Sequence, residues 1–275
     1  MNRDTQANRA AWNTWLARDL ASSHHQDVAR FRATGSSLRS IERAEMGAVA
    51  GKTLLHLQCN MGSETLSWAR LGATVTGVDI ADEAIARAEA LAAESGLPAR
   101  FIRADLYDLP DLLDEQFDLV FASYGVLFWL PDLARWADTV AHFLKPGGTF
   151  YLVDMHPATN PLGELPSDPP GMRFAVRYPY FHAAEPAQPV DTAPDAPIDA
   201  LPDAPPGDGE RVFAFGLGEV ITALIAAGLR LEYIHEFPMQ HYQQFPSLVR
   251  DADGWWRWPT PGNTLPMLFS IRASK

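Results

Sequence analysis

A chain of 275 residues, 47% hydrophobic and 20% charged, is globular in composition and long enough for one large α/β domain, or one domain with a small lid. No apolar run approaches the ~18 residues a membrane span requires, and the stretch from Met1 to Gln6 lacks the apolar core of a signal peptide, so the cytoplasm is the expected compartment. A net charge of −12 argues against nucleic acid as a partner, and a lone cysteine, Cys59, makes neither an internal disulfide nor a thiolate metal site.

The N-terminal stretch carries Trp12, Trp15, Leu16 and Leu20 at helical spacing, which predicts an amphipathic helix. Gly35-Ser36-Ser37 breaks the pattern, and residues 38–50 again read as helix. Strands and helices then alternate. A short apolar strand at 53–57 precedes a helix at 63–71 that Gly72 stops, and residues 74–78 are β-rich. Asp82 reads as the cap of a helix ending at Gly96, followed by strands at 100–103 and 119–122. Asp132 starts a helix whose Leu133, Trp136, Ala137, Val140, Phe143 and Leu144 share one face. Lys145-Pro146-Gly147-Gly148 ends it before a strand at 150–154.

The alternation lapses over residues 157–211. Within that stretch, residues 183–209 are rich in Pro, Asp and Ala and have little to bury, so a solvated insertion is expected. A helix at 218–227, closed by Gly228, and strands at 229–236 and 265–273 complete the chain. The last two strands are joined through the aromatic run Gly254-Trp255-Trp256-Arg257-Trp258-Pro259.

Such alternation predicts a single α/β domain: a seven-stranded, mostly parallel sheet with helices on both faces and its last strand antiparallel. Its parts would be a helical cap (1–50), a core (51–156), an insertion or lid after the fifth strand (157–211) and a closing helix with two strands (212–275).

In an open sheet of this kind, ligands sit outside the carboxyl ends of the strands, where the strand order reverses. Gln58, Cys59, Asn60, Met61 and Gly62 follow the first predicted strand, Asp79 the second, Asp105 the third, Ser123-Tyr124-Gly125 the fourth and His156 the fifth. An acidic residue ending the second strand is placed to accept hydrogen bonds from a ribose diol. The loop before Ser63 lets backbone approach a nucleoside beside a helix N-terminus. That pattern indicates a nucleoside cofactor without saying which.

Residues Leu54-Leu55-His56-Leu57-Gln58-Cys59-Asn60-Met61-Gly62-Ser63-Glu64-Thr65-Leu66 resemble the first motif of the class I S-adenosylmethionine-dependent methyltransferases. Val75-Thr76-Gly77-Val78-Asp79-Ile80-Ala81 resembles the second, and Arg103-Ala104-Asp105-Leu106-Tyr107-Asp108-Leu109-Pro110 the third. Residues 117–127 and 144–150 resemble the fourth strand and the turn before the fifth. The motifs fall in the family's order over residues 51–156.

The resemblance implies a Rossmann-like class I methyltransferase fold and S-adenosyl-L-methionine as cofactor. It gives Asp79 and Ile80 to the ribose side, Asp105 to the adenine amino group and Leu106 to the ring. Gln58, Cys59, Asn60 and Gly62 would line the methionine end, with Ser123 behind the sulfonium. The chain departs from the pattern at His56, where many relatives have an acidic residue, and at Gln58 and Asn60, where they have glycines.

The reaction so implied is in-line methyl transfer to an unidentified small-molecule acceptor, with proximity, alignment and desolvation as the protein's share. His156, beyond the fifth strand, is the candidate base, and the alternative is a polar strand-end residue bonded to backbone. Tyr124 is either an acceptor contact or a packing residue. His56 reads as a core histidine. The acceptor pocket is expected between Tyr124 and His156, roofed by residues 157–211 and the helix bearing Trp12. Trp255, Trp256 and Trp258 either wall that pocket or cover the sheet edge. No metal-ligand spacing is recognisable.

Two other functions fit parts of the pattern. One is a nicotinamide-dependent oxidoreductase, although Gly-x-Gly-x-x-Gly is missing; the other is a catalytically silent nucleoside-binding scaffold.

Overall fold

The computed structural model describes residues 2–18, 22–165, 173–182, 209–259 and 265–275. Three helices precede the first strand: α1 (Arg3–Ala17), α2 (Ser22–Thr34) and α3 (Ser40–Met46). The third is shorter than periodicity predicts, because Gly47 leaves the helix at φ 66°. Trp15 and Leu16 are buried as expected, and Leu20 lies outside the described residues.

The core then alternates β1 (Thr53–Leu57), α4 (Ser63–Arg70), β2 (Thr74–Asp79), α5 (Asp82–Ser95), β3 (Arg100–Arg103), β4 (Phe117–Ser123), α6 (Leu133–Phe143) and β5 (Leu144–Met155). After a helix α7 (Leu217–Ala226) come β6 (Arg230–Phe237) and β7 (Leu268–Ser274). These strands form one sheet in the order β3-β2-β1-β4-β5-β7-β6, with β1 to β5 parallel and β7 antiparallel to both its neighbours. This is the Rossmann-like class I methyltransferase architecture expected above.

Both faces of the sheet are covered, so its central strands are apolar nearly throughout rather than alternating with polar residues. Strand periodicity still divides them. Leu55, Leu57, Val120, Ala122, Phe150 and Leu152 point to the side of α6 and α7, while Leu54, Leu119, Phe121, Tyr151 and Val153 point to the side of α3 and α4.

Two local expectations change. Ala81, not Asp82, is the N-cap of α5; Asp82 is its first residue and instead anchors α1, accepting from Arg9 Nε at 2.7 Å and Asn13 Nδ2 at 3.0 Å. Lys145-Pro146-Gly147-Gly148 does not separate α6 from the strand, since β5 already starts at Leu144. The ladder is irregular there between Phe117 and Leu119, where Asp118 accepts from Lys145 Nζ at 2.9 Å and from Thr53 N at 2.8 Å.

The described part of the insertion contains a two-stranded ladder of Leu162–Glu164 against Phe174–Val176. The Pro/Asp-rich stretch 183–208 lies outside the described residues. The aromatic run joins a three-stranded ribbon with Met239–Gln240 and Val249–Arg250, so Trp255 and Trp258 are buried in packing, with Trp255 Nε1 donating to Ser40 Oγ at 3.2 Å.

Candidate active site

The sheet order reverses between β1 and β4, and the loops at the carboxyl ends of β1 to β4 converge on one cavity. Gln58, Cys59 and Asn60 line it from β1, Asp79 and Ile80 from β2, Asp105 and Leu106 from β3, and Ser123 and Tyr124 from β4.

The loop after β1 takes a glycine-like backbone without glycine. Gln58 and Asn60 sit at φ 56° and 46°, a left-handed conformation that costs a side-chain-bearing residue about 1–2 kcal/mol. Neighbouring bonds hold it there. Asn60 N donates to Asp79 Oδ2 at 2.8 Å, Cys59 N to Val78 O at 2.9 Å, and Gln58 Nε2 to Val126 O at 3.0 Å. The departures from the family pattern at these positions therefore leave the loop in the shape glycines take freely. Burial pushes the Cys59 thiol well up, so it stays protonated and serves as a small wall residue.

The acidic residues differ in how they are satisfied. Asp79 accepts from Asn60 N and, through Oδ1, from Ala81 N at 2.9 Å, tying two strand-end loops together. Asp105 accepts from Tyr107 N at 3.1 Å through Oδ1, while its buried Oδ2 has no partner. Glu64, in the first turn of α4, accepts from Ser123 Oγ at 2.6 Å. Burial, with Glu42 and Asp27 adding repulsion, pushes its carboxyl up to about 8.

Asp154 braces the opposite wall from behind, without lining the cavity itself. Its carboxylate receives N–H groups from Gly125, from Val126 at 3.2 Å, from Leu127 at 3.1 Å and from Met155 at 2.7 Å. It thereby fixes the loop that presents Tyr124, itself at φ 49°. Tyr124 Oη donates to Glu42 Oε2 at 2.7 Å, and its ring packs 4.7 Å from that of His241. Burial and the Glu42 charge hold the phenol well above its ordinary range, so Tyr124 is a hydrogen-bonded wall, not a phenolate base.

Helix α1 closes the cavity with Thr5, Asn8, Trp12 and Trp15. Trp12 and Trp15 pack around Trp129, with ring centroids 5.4 and 5.8 Å away. The Asn8 amide donates to Trp129 O at 3.2 Å and Arg211 O at 2.9 Å and accepts from Arg211 N at 2.6 Å.

Several expectations need correction. His156 is not among the lining residues: Nδ1 accepts from Ala158 N at 3.0 Å, and Nε2 donates to Glu236 Oε1 at 2.7 Å. The ring is turned toward Glu236 of β6 and the Phe269 ring of β7 instead of lining the cavity. Gly62 does not line it either; a Cβ there would stand 2.8 Å from Ala88 Cβ and from the Phe101 ring, so Gly62 permits close packing of the loop. None of the described residues of the 157–211 stretch lines the cavity, and His241 and Tyr242 stand on that side instead. Trp255, Trp256 and Trp258 are also absent from the lining.

His56 is a core residue, as read. Its Nδ1 lies 2.8 Å from Thr65 Oγ1, and burial holds it neutral, pushed down to about 3. Glu64, Asp27, His241 and Tyr242, with Asp154 behind the wall, are among the residues that sequence reasoning missed. Only Asp154 left a signal, as the one acidic residue in the apolar run from Phe150 to Met155.

Residues 55–152 match a family model described as a methyltransferase domain. The match runs from β1 into β5. Over 110 residues it is 34% identical to an uncharacterised protein of Mycobacterium tuberculosis, covering 40% of this chain and 39% of that one. It is 37% identical over 103 residues to a ubiquinone biosynthesis O-methyltransferase of Methylobacterium, covering 38% and 41% of the two chains. The chain thus spans about two fifths of the length of these curated relatives.

Among solved structures, an S-adenosylmethionine-dependent methyltransferase from Mesorhizobium loti superimposes with TM-score 0.57 at 22% identity, over 86% of this chain and 96% of that one. The magnesium protoporphyrin IX methyltransferase of Synechocystis, with bound SAH (S-adenosylhomocysteine), does so with TM-score 0.56 at 15% identity over 99% of each. These two likenesses concern the fold. Among the described residues no helix is long and apolar enough to cross a membrane, and no group of three or more His, Cys, Asp or Glu could hold a metal ion.

Proposed function

We propose that the protein is an S-adenosylmethionine-dependent methyltransferase acting on a small-molecule acceptor. The observation that carries the reading is the charge of the cavity. Asp27, Glu64, Asp79 and Asp105 line it, and among the described residues no Lys or Arg does. S-adenosylmethionine, with a sulfonium, an ammonium and one carboxylate, is a net cation and is attracted there. A dinucleotide would bring a pyrophosphate beside Asp79 and Asp105 with no Lys or Arg in the lining to neutralise it, which opposes the nicotinamide alternative.

The residues present fit the cofactor. The unpartnered, buried Asp105 Oδ2 is an acceptor awaiting a donor, and an adenine amino group supplies one. Asp79 keeps lone pairs for ribose hydroxyls beyond its two backbone bonds. When bound, S-adenosylmethionine supplies a methyl group already activated on sulfonium sulfur. The protein's own share is alignment and exclusion of water: Trp12, Trp15 and Trp129 cover the cavity, while Tyr124, Phe128, Met155 and Tyr242 wall the acceptor end. His241, beside Tyr124, is the side chain placed to take a proton from an acceptor that carries one. His156, turned toward Glu236, is withdrawn from that role.

The named O-methyltransferase relative aligns over 103 residues, 38% of this chain and 41% of its own, so it supports the donor and leaves the acceptor atom open. Calorimetry with S-adenosylmethionine, SAH and NAD tests the reading. The first two should bind and NAD should not; binding of NAD without S-adenosylmethionine would overturn it. A screen of phenols, amines and acids for label transfer from methyl-labelled cofactor then finds the acceptor.

A further inference from the structure

We propose that Glu64 is the receptor for the α-ammonium group of the cofactor's methionine portion. The inference rests on the cofactor reading above and names a residue for which no role is otherwise assigned.

The topology sets the direction. Asp105 ends β3 and Asp79 ends β2, and the next strands across the sheet are β1 and β4. A nucleoside with its base at Asp105 and its ribose at Asp79 therefore extends its remaining arm over the ends of β1 and β4. Glu64 stands at that place: it follows the β1 loop in the first turn of α4, and its bond to Ser123 joins α4 to the end of β4.

The arm of S-adenosylmethionine ends in an ammonium and a carboxylate, and the ammonium needs an anionic acceptor. Three other carboxylates on this side of the molecule are already committed. Asp27 pairs with Arg30 at 2.7 Å and Arg39 at 2.9 Å. Glu42 holds Tyr124 Oη and Arg39 N and does not line the cavity. Asp154 is filled by four backbone N–H groups. The position before the loop, where many relatives have an acid, is the neutral His56, facing Thr65. Glu64 alone among these lines the cavity without a cationic partner in the described residues; its one hydrogen bond uses Oε2 and leaves Oε1 for a ligand.

A consequence follows for protons. The titratable groups around Glu64 are Glu42, Asp27, Tyr124, Arg39 and Arg30, with Ser123 donating to it, and the balance of burial and repulsion keeps it protonated near neutrality, at about 8. An ammonium arriving at Oε1 favours the carboxylate, so binding expels the proton to solvent.

The test is calorimetric binding of SAH, which has the ammonium but no sulfonium, to wild type and Glu64→Gln near neutral pH. Each titration is repeated in two buffers of different ionisation enthalpy. Methylthioadenosine, which lacks the amino-acid arm, is the control for the nucleoside half and for folding. Expected are an SAH affinity lowered about 10- to 100-fold in the variant, the loss of one charge-assisted hydrogen bond, with methylthioadenosine binding unchanged. Wild type should also release a proton on binding SAH that the variant does not.

Equal SAH affinity and equal proton release in the two proteins would overturn the assignment. An equal loss of methylthioadenosine and SAH binding would move Glu64 to the nucleoside half and also overturn it. Unchanged SAH binding with a raised KM for a cationic acceptor would assign the carboxylate to the acceptor instead. Failure of wild type to bind either nucleoside would instead remove the cofactor reading itself.

Discussion

Single residues at this site do two jobs, and substitutions separate them. Asp79 both faces the cavity and holds the N–H groups of Asn60 and Ala81. Asp79→Ala should weaken SAH binding by roughly 1.5–3 kcal/mol through lost charge-assisted hydrogen bonds, measured by calorimetry on a variant shown to be folded. Unchanged affinity would remove Asp79 from the cofactor site. Gly62 has only the structural job. Gly62→Ala puts a Cβ 2.8 Å from Ala88 Cβ and the Phe101 ring at a φ of +73°, so overpacking and left-handed strain together should cost roughly 2–5 kcal/mol. Denaturant unfolding measures it, and a change below about 1 kcal/mol would show that the loop relaxes around the methyl group. The sequence made both positions visible, Asp79 at a strand end and Gly62 in a loop, but only the contacts show which one lines the cavity.

At the scale of elements, the cavity depends on how α1 and the loop after β4 are held. Asn8 links α1 to Trp129 and to Arg211 through three hydrogen bonds, joining residues more than a hundred positions apart. Asn8→Ala strips these and leaves the backbone groups at Trp129 and Arg211 to find other partners, so the docking of α1 should weaken by about 1–3 kcal/mol. Amide exchange is the readout: α1 should exchange faster while β1 and β4 keep their protection. Equal protection of α1 in the two proteins would mean that the tryptophan packing, not Asn8, secures the lid. Helix α1 itself was legible from the spacing of Trp12, Trp15 and Leu16, because amphipathicity is local. Its placement over the cavity, expected above, came from the need to exclude water there and not from the helix's own period, which does not state what its apolar face meets.

Over the whole molecule, buried titratable groups set a pH dependence. Glu64 titrates at about 8 in the folded protein against an ordinary 4.5 in the unfolded chain. Between those values the folded state retains a proton that the unfolded state has released, so this group makes stability fall as pH rises through the window and contributes no slope outside it. Glu64→Gln abolishes the titration, so its Tm relative to wild type should rise between about pH 5 and about pH 8.5. A constant difference would mean that the carboxyl is not held protonated. His56 acts at the acid end. Its folded value of about 3 lies below the ordinary 6.5, so its contribution is fully present above 6.5 and is lost as pH falls toward 3, where the unfolded chain takes a proton the buried ring refuses. Melts of His56→Asn should show a shallower decline over that range than wild type, and parallel curves would dismiss the histidine as a cause.

The sequence by itself determined the order of strands and helices in the core, the antiparallel closing strand and the strand-end residues from Gln58 to Asp105 that line the cavity. Those features are written locally, in apolar runs, helical periods and the residues that end them. Tertiary structure decided which strand-end side chains meet. It turned His156 toward Glu236, committed Asp154 to the loop after β4, set Glu64 against Ser123 and brought His241 and Tyr242 to the wall assigned above to the insertion. The reason is physical: a side chain's direction at a strand end depends on bonds to residues distant in the chain, and no local pattern encodes those partners.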